Sequence, residues 1–205
     1  APRIDRPVAG LLRDLRRLMG RLAPEELLNT LLPQFSGLGP DHYWGRNFFK
    51  LHTEYLGVGS LILATLGLAR PSRPRLRWAF VAIAGVFLIV SLGGHTPFYR
   101  VFYELLPFIK KTRAPSMAFY LVAFAVAVWA ALGVERVLSG EGKLRALAGW
   151  LVALGAVLLF AVAGVFTNLG RSIAEPQQVQ TLLDNQGAVV WGAVRIAVFG
   201  AAMAG

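Results

Sequence analysis

Charge along this chain is segregated: long apolar runs such as 78–92 (WAFVAIAGVFLIVSL) contain no charged residue, and the charges gather in short stretches between the runs. A lipid bilayer imposes this distribution, because its hydrocarbon core has no water for charged side chains or for unpaired backbone groups. Charged residues make up 16% of the chain, whereas they make up about a quarter of a typical soluble domain. The sequence therefore predicts an all-α integral membrane protein.

The apolar runs predict about five transmembrane helices, at about 55–69, 78–92, 115–134, 147–169 and from 188 onward. The first run is short for a hydrocarbon core about 30 Å thick. The last run reaches Gly205 without a polar flank, and the chain begins at Ala1 without a Met or a signal sequence, so we expect a fragment of a longer polypeptide. We divide it into an interfacial segment, 1–54, and a helical bundle, 55–205, whose last span is truncated.

Residues 8–22 predict a basic amphipathic helix. Its apolar residues recur at steps of three and four and so share one face: Val8, Leu11, Leu12, Leu15, Leu18, Met19 and Leu22. Its basic residues occupy the opposite face: Arg13, Arg16, Arg17 and Arg21. Such a helix can lie in the headgroup layer with its arginines on anionic lipid phosphates, or pack on neighbouring protein with its basic face in solvent. The sequence leaves both interpretations open.

A short helix and an aromatic loop follow. Pro24 suits the first turn of the helix, and Glu25 and Glu26 lie at its positive end. Residues 33–54 are rich in Gly, Pro and aromatic residues and show no period, which predicts an ordered interfacial loop. The loop carries amphipathic rings that we expect at the depth of the lipid headgroups: Tyr43, Trp44, Phe48 and Phe49.

The best candidate for an anion site is the basic cluster Lys110, Lys111 and Arg113, just before a span that begins near Pro115. Helix N-termini carry unpaired N–H groups and the positive end of the helix dipole, to which the three cations add. A lipid-linked diphosphate fits such a site, with Arg113 best suited to bidentate contact. Ordinary anchoring of a helix end to lipid phosphates requires the same residues, so both interpretations stand.

Arg195 is the one charge well inside an apolar run, and Trp191 precedes it by one helical turn. An ionisable group in hydrocarbon is unfavourable, so it calls for a functional hypothesis with a partner. Glu54 and Glu104 are candidate partners. Alternatively, if the segment ends near the interface, the Arg195 side chain snorkels to the headgroups.

The remaining polar residues match no known catalytic or metal site. Asp41, His42, His52 and Glu54 lie in one loop, but the polarity of an interface explains them better than metal binding or acid–base catalysis. The chain has no Cys, no phosphate loop and no dinucleotide fingerprint. We predict no metal, no cofactor and no nucleic-acid partner, and the net charge of +10 favours anionic lipid headgroups as partners.

Small residues in the predicted spans permit close helix contacts. They are Gly133, Gly149, Gly155, Gly164, Gly192 and Gly200.

Two stretches resemble the YfhO-like bacterial membrane proteins, which are grouped with the GT-C class of glycosyltransferases. One is TEYLGVGSLILATLGLAR, preceded by LLPQFSG and YWG. The other runs from SLGGHTPFYRVFYELLPFIKK through TRAPSMAFYLVAFAVAVWAALGVERVL. The order and spacing of these motifs cover roughly residues 30–138, and the rest of the chain matches only as apolar helices.

The resemblance implies a helical membrane fold and a relative that transfers sugars from a polyprenyl-phosphate donor on the outer face of the membrane. It places the 70–77 loop in the cytoplasm and 93–113 outside, whereas counts of Lys and Arg leave the orientation undecided. The family's catalytic carboxylate is expected on an outer loop that would lie upstream of Ala1. Met117 stands where the family often has a basic residue, which would weaken a phosphate site.

Two functions follow. The chain is either a non-catalytic subunit or fragment, of YfhO-like ancestry, that packs against other proteins in the bacterial cytoplasmic membrane. Or it is part of an active polyprenyl-phosphate-sugar transferase whose catalytic loop lies upstream of residue 1. Membrane lipids, including polyprenyl phosphate, and other membrane subunits are the expected partners. The chain alone is not expected to be an enzyme.

Overall fold

The computed structural model describes residues 22–39, 41–45, 54–69, 74–93, 115–140 and 143–204. Every regular element within these ranges is helical, and none is a strand. The all-helical prediction is therefore confirmed for the described part of the chain. The predicted amphipathic helix at 8–22 lies outside these ranges except for Leu22.

Seven α-helices lie within the described ranges, and we number them in chain order. They are α1 Val58–Ala69, α2 Pro74–Leu92, α3 Phe119–Leu138, α4 Lys143–Val162, α5 Val165–Arg171, α6 Val179–Asp184 and α7 Gln186–Ala204. Three short 3-10 segments, Pro24–Thr30, Pro115–Ala118 and Pro176–Gln178, each begin with a proline. Proline suits this position because its φ is already helical and its missing N–H has no partner there.

By length and composition, three helices in the described part of the chain can cross a membrane: Pro74–Leu92, Ser116–Leu138 and Gln186–Ala204. A fourth candidate is a broken span in which Ala146–Val162 and Val165–Arg171 meet at 62°. The break falls at Gly164, whose φ is +72°, a left-handed conformation that glycine adopts without steric penalty. The predicted span at 147–169 is therefore two helices rather than one.

Helix α1, expected as the first span, has only 12 residues. It is about 18 Å long, which is short of the roughly 30 Å of a bilayer core. It begins after Gly57, whose φ of +85° interrupts any helical path from the preceding residues. It ends at Ala69, and Pro71 further along disfavours helical conformation in the residue before it. α1 alone therefore does not meet the length of a span.

α1 lies between two pairs of longer helices, α2 with α3 and α4 with α7. Ile62 and Leu66 of α1 belong to a buried cluster with Leu154 of α4 and Ile196 of α7. Ala64 of α1 belongs to a second buried cluster, formed mainly with α2 and α3. The short helix therefore joins the two halves of the core.

Glycines allow α1 and α3 to pack backbone against backbone. A Cβ atom on Gly133 would lie 1.9 Å from the Leu63 carbonyl oxygen, and one on Gly67 would lie 2.1 Å from the Trp129 carbonyl oxygen. No side chain fits at either position without moving a helix. Small residues at helix interfaces produce this kind of close approach in membrane bundles.

The glycines predicted to permit close helix contacts differ in what they meet. Gly133 and Gly200 do approach another helix, because a Cβ there would lie within 3.0 Å of a Leu63 or a Leu154 atom. Gly192 instead approaches Pro33, which is outside the helices, and a Cβ on Gly164 would lie 3.9 Å from the Gln186 side chain. Gly149 and Gly155 of α4 face open space, with no atom within 4 Å of a built Cβ. A glycine pattern alone does not reveal which face of a helix is covered.

The described residues 22–39 and 41–45 pack into the bundle instead of lying apart from it. Leu32, Phe35 and Trp44 are part of the same buried cluster as α1, α4 and α7. The Trp44 ring, expected among lipid headgroups, is only 1% exposed and lies edge-on to Phe35 with ring centroids 5.2 Å apart. Its Nε1 donates to the Phe35 carbonyl oxygen at 2.9 Å. A buried indole needs such an acceptor, and the loop supplies it locally.

Candidate functional site

Most of the site residues predicted from the sequence lie outside the described ranges. These are Lys110, Lys111 and Arg113 before α3, and Arg13, Arg16, Arg17 and Arg21 of the N-terminal helix. Arg195 is described, and it lies on α7 with nine helical residues before it and nine after it. At 1.5 Å per residue, about 13 Å of helix separates Arg195 from each end of α7.

The Arg195 side chain is exposed on this apolar helix. Its guanidinium carbon lies 5.3 Å from the centroid of the Trp191 ring, and Trp191 is itself 56% exposed. A cation over an aromatic face gains about 0.5–1 kcal/mol at an exposed site. The Trp191 ring carries no net charge, and no described carboxylate forms an ion pair with Arg195. The positive charge of Arg195 therefore has no counter-charge among the described residues.

Arg195 borders a groove of about 460 Å³ between α7 and the start of α1. The walls are mostly apolar, and the lining residues with polar side chains are Arg195, Tyr55 and Ser60. The lining residues are Pro33, Tyr55, Gly57, Val58, Gly59, Ser60, Arg195, Ile196 and Phe199. One cation and two hydroxyls in an apolar groove can bind an anionic group that carries an apolar chain.

The start of α1 forms one wall of this groove. The Val58 amide donates to the Tyr55 hydroxyl at 3.2 Å, so the tyrosine caps one of the N–H groups that a helix start leaves unpaired. Ser60 lies in the first turn of α1, and a Cβ on Gly59 would lie 2.9 Å from the Phe199 ring of α7. The absence of a side chain at Gly59 therefore brings the start of α1 against the second half of α7.

Non-helical chain covers the first half of α7. A Cβ on Gly192 would lie 2.8 Å from the Pro33 carbonyl oxygen, and Asn185 Nδ2 donates to the Gln34 carbonyl oxygen at 2.9 Å. The groove thus lies where this irregular segment gives way to α1, beside the middle of α7. In a bilayer, irregular backbone is tolerated at such depth only when it is buried in protein or lines a polar cavity.

A buried polar network holds the irregular segment in shape, and no pattern in the sequence predicts it. Asn29 Nδ2 donates to the Ser36 hydroxyl at 2.6 Å, and the Ser36 amide donates to Asn29 Oδ1 at 3.1 Å. The Tyr43 hydroxyl donates to Glu26 Oε1, and the Glu26 side chain is fully buried. The spacing Asn-x6-Ser carries no known signature, so no sequence signal was available for this contact.

Glu54 and Glu104 are the candidate partners of Arg195, and Asp41, His42 and His52 are further polar residues of the loop; the structure describes only some of these residues. Glu54 is half-buried and makes no ion pair with Arg195, and Glu104 lies outside the described ranges. Asp41 and His42 are exposed, and His52 is not described. Among the described residues, no three His, Asp or Glu side chains come together as a metal site requires.

Comparison of the chain with protein-family models, with curated proteins and with solved structures finds no match. The likeness to YfhO-like proteins therefore rests on the motifs within residues 30–138 alone.

Proposed function

We propose that this chain is a non-catalytic, multi-pass subunit of the bacterial cytoplasmic membrane that packs against another membrane protein along the Arg195 face of α7. The proposal includes about five membrane-crossing or membrane-embedded helices and a basic amphipathic helix at the interface. One observation carries it: a guanidinium is exposed with about 13 Å of apolar helix on either side.

The energetics of that guanidinium favour a partner. An arginine near the middle of a span is unfavourable by about 2.5–3.5 kcal/mol on insertion-based scales. The Trp191 contact offsets only part of this amount. A carboxylate on a neighbouring membrane protein, at the same depth, would supply charge and hydrogen bonds together.

The exposed surface around Arg195 suits a protein partner. Trp191, Val198 and Phe199 are 56%, 65% and 53% exposed, and they lie on the same side of α7 at three- and four-residue steps from Arg195. A large aromatic and an arginine together are typical of residues that dominate binding energy at interfaces.

A second function is favoured by the groove. In this alternative the chain belongs to a polyprenyl-phosphate-sugar transferase, and the groove holds the donor phosphate against Arg195, Tyr55 and Ser60. The apolar lining of the groove by Val58, Ile196 and Phe199 would follow the polyprenyl chain. The catalytic carboxylate would come from a part of the protein beyond this sequence.

Photo-crosslinking in the native membrane separates the two functions. A photoreactive amino acid replaces Val198, one turn from Arg195, or Val152 on α4, which is 75% exposed and serves as the position control. Each photoreactive position is combined with wild-type Arg195, Arg195→Leu or Arg195→Lys. Arg171→Leu is the control for loss of an arginine, because Arg171 is also exposed and lies on α5. Cross-linked products and co-purifying lipids are identified by mass spectrometry.

If the chain is a subunit, the photoreactive residue at position 198 should cross-link to one stoichiometric protein, within a segment that contains Asp or Glu. This product should form with wild-type Arg195, with Arg195→Lys and with Arg171→Leu. It should not form with Arg195→Leu. A lipid-linked sugar phosphate that depends on Arg195, with no protein partner, would replace the subunit function with the transferase. If neither a protein nor a lipid depends on Arg195, both functions are wrong.

A further inference from the structure

The C-terminal end of α1 is held by two arginines from other helices. Arg136 of α3 donates from Nη1 to the Leu66 carbonyl oxygen at 2.8 Å, and Arg77 of α2 donates from Nη1 to the Leu68 carbonyl oxygen at 2.8 Å. Both carbonyls belong to the last turn of α1, which has no intrahelical donors for them. Two full positive charges exceed the roughly half negative charge at a helix C-terminus, so the pair retains an excess of positive charge.

Both guanidiniums also retain hydrogen-bond donors without acceptors. The Nε atoms of Arg77 and Arg136 are buried and unpaired, and so is the indole Nε1 of Trp129 on α3. Among the described residues, these are the buried side-chain nitrogen and oxygen atoms without a partner, and all three are donors. Leaving a buried charged donor unpaired is unfavourable, so the charge of each guanidinium is incompletely offset, and an anion beside the guanidinium would offset it further.

The orientation of each guanidinium suits a phosphate. Nη1 is committed to a backbone carbonyl and Nε is buried, so Nη2–H is the group that remains for an anion, and no described residue accepts from it. Each Nη2 group can donate a charge-assisted hydrogen bond to a phosphate oxygen. The backbone hydrogen bonds fix both side chains in advance, which lowers the entropy lost on binding an anion.

The surroundings are those of a membrane interface. The Arg77 guanidinium carbon lies 4.7 Å from the Trp78 ring centroid, and the Trp78 side chain is 60% exposed. Exposed tryptophans at the ends of spans are typical of headgroup depth. In the sequence, the stretch 70–77, which follows α1, and the stretch 135–145, which includes the end of α3, contain seven basic and two acidic residues, and clusters of this kind attract anionic lipids.

We infer that the C-terminal end of α1, with Arg77 and Arg136, is a binding site for the phosphate of an anionic phospholipid. The Nη2 groups of the two arginines donate to the phosphate oxygens, and the acyl chains lie beside Trp78 along the exposed side of α2. The site is independent of the proposed function, because it lies at the opposite end of α1 from the Arg195 groove and uses different residues.

The test uses the full chain in detergent and native mass spectrometry with phosphatidylglycerol and phosphatidylcholine. The variants are Arg77→Gln, Arg136→Gln, their double substitution and Arg136→Lys. Arg75→Gln is the matched control, since Arg75 is exposed in the first turn of α2 and, unlike Arg77, makes no hydrogen bond to a described residue of α1. Circular dichroism checks that each variant is folded.

We expect the wild type to retain phosphatidylglycerol in preference to phosphatidylcholine, and the double variant to lose about tenfold or more in that affinity. Arg75→Gln should change it less than about twofold, and Arg136→Lys should fall between, because an ammonium keeps the charge but cannot hold the Leu66 carbonyl and a phosphate in the planar geometry of a guanidinium. Equal loss in Arg75→Gln would mean diffuse charge attraction and would overturn the site. Displacement of the lipid by millimolar inorganic phosphate would mean a site for free anions, not for a lipid headgroup.

A second measurement does not depend on how the arginine variants fold. Brominated phosphatidylglycerol should quench the fluorescence of the wild type more than brominated phosphatidylcholine does, because a bound headgroup holds its chains near Trp78. This excess quenching should disappear in Trp78→Phe. If the excess is absent in the wild type or persists in Trp78→Phe, the inference is wrong.

Discussion

Substitution Gly133→Ala gives the sharpest test of how this bundle is held together. The added Cβ would lie 1.9 Å from the Leu63 carbonyl oxygen and 2.6 Å from the Leu63 carbonyl carbon. These are backbone atoms inside α1, so they cannot turn away as a flexible side chain can. To restore ordinary contact distances, α1 and α3 must separate by about 1 Å or more.

That separation should lower the free energy of unfolding by about 1–3 kcal/mol, the usual range for overpacking a well-filled core. The intrinsic preference of helices for alanine over glycine acts in the opposite direction, by about 0.5–1 kcal/mol. Gly155→Ala measures this opposing effect alone, because a Cβ at Gly155 meets nothing within 4 Å. We expect Gly155→Ala to be neutral or stabilising.

Reversible unfolding by sodium dodecyl sulfate in mixed micelles, followed by circular dichroism, provides the measurement. Gly67→Ala should resemble Gly133→Ala, because its Cβ would lie 2.1 Å from the Trp129 carbonyl oxygen. The double variant should lose less than the sum of the single losses, because one separation of the helices relieves both clashes. If Gly133→Ala is as stable as Gly155→Ala, then α1 and α3 do not pack at this distance and the reasoning fails.

Three further predictions use the same unfolding assay. Trp44→Ala should lower stability by about 3–5 kcal/mol, the range for removing a large buried ring, and Trp44→Phe should lose less because it keeps most of the packing. Asn29→Ala should lower stability by about 1–3 kcal/mol, because it leaves the buried Ser36 amide without its acceptor. Gly164→Ala should lose about 1–2 kcal/mol, because alanine is strained at a positive φ. Losses below about 0.5 kcal/mol would contradict the burial of Trp44, the Asn29 contact or the bend at Gly164, respectively.

The sequence predicts the long helices well and their ends less well. α2, α3 and α7 follow from long apolar runs, because a helix satisfies all the backbone hydrogen bonds of such a run within the run itself. The predicted start of α2 at Trp78 is four residues late, because the helix begins at Pro74 and includes Arg75 and Arg77. Arginine has a good helix propensity and a long apolar stem, so the end of an apolar run is not the end of a helix.

The interior arrangement was harder to predict because it depends on contacts between distant residues. An aromatic ring suits both a headgroup layer and a protein core, so composition could not place Trp44 inside. The contact between Arg136 and Leu66 joins residues 70 positions apart, and no local pattern indicates it. Arg195 was identified because a charge within an apolar run stands out in sequence, whereas the groove beside it required the positions of α1 and α7.

The half-length of α1 explains why polar groups occur at both of its ends. A helix of full length would have its unpaired N–H and C=O groups at the two membrane surfaces, where water and headgroups can bind them. α1 instead begins beside the middle of α7, so the Tyr55 hydroxyl binds its first amide next to the exposed Arg195. At its other end, Arg77 and Arg136 bind its last carbonyls. Because Gly67 and Gly133 fix α1 against α3, a shift of α1 along its axis would disturb both ends together.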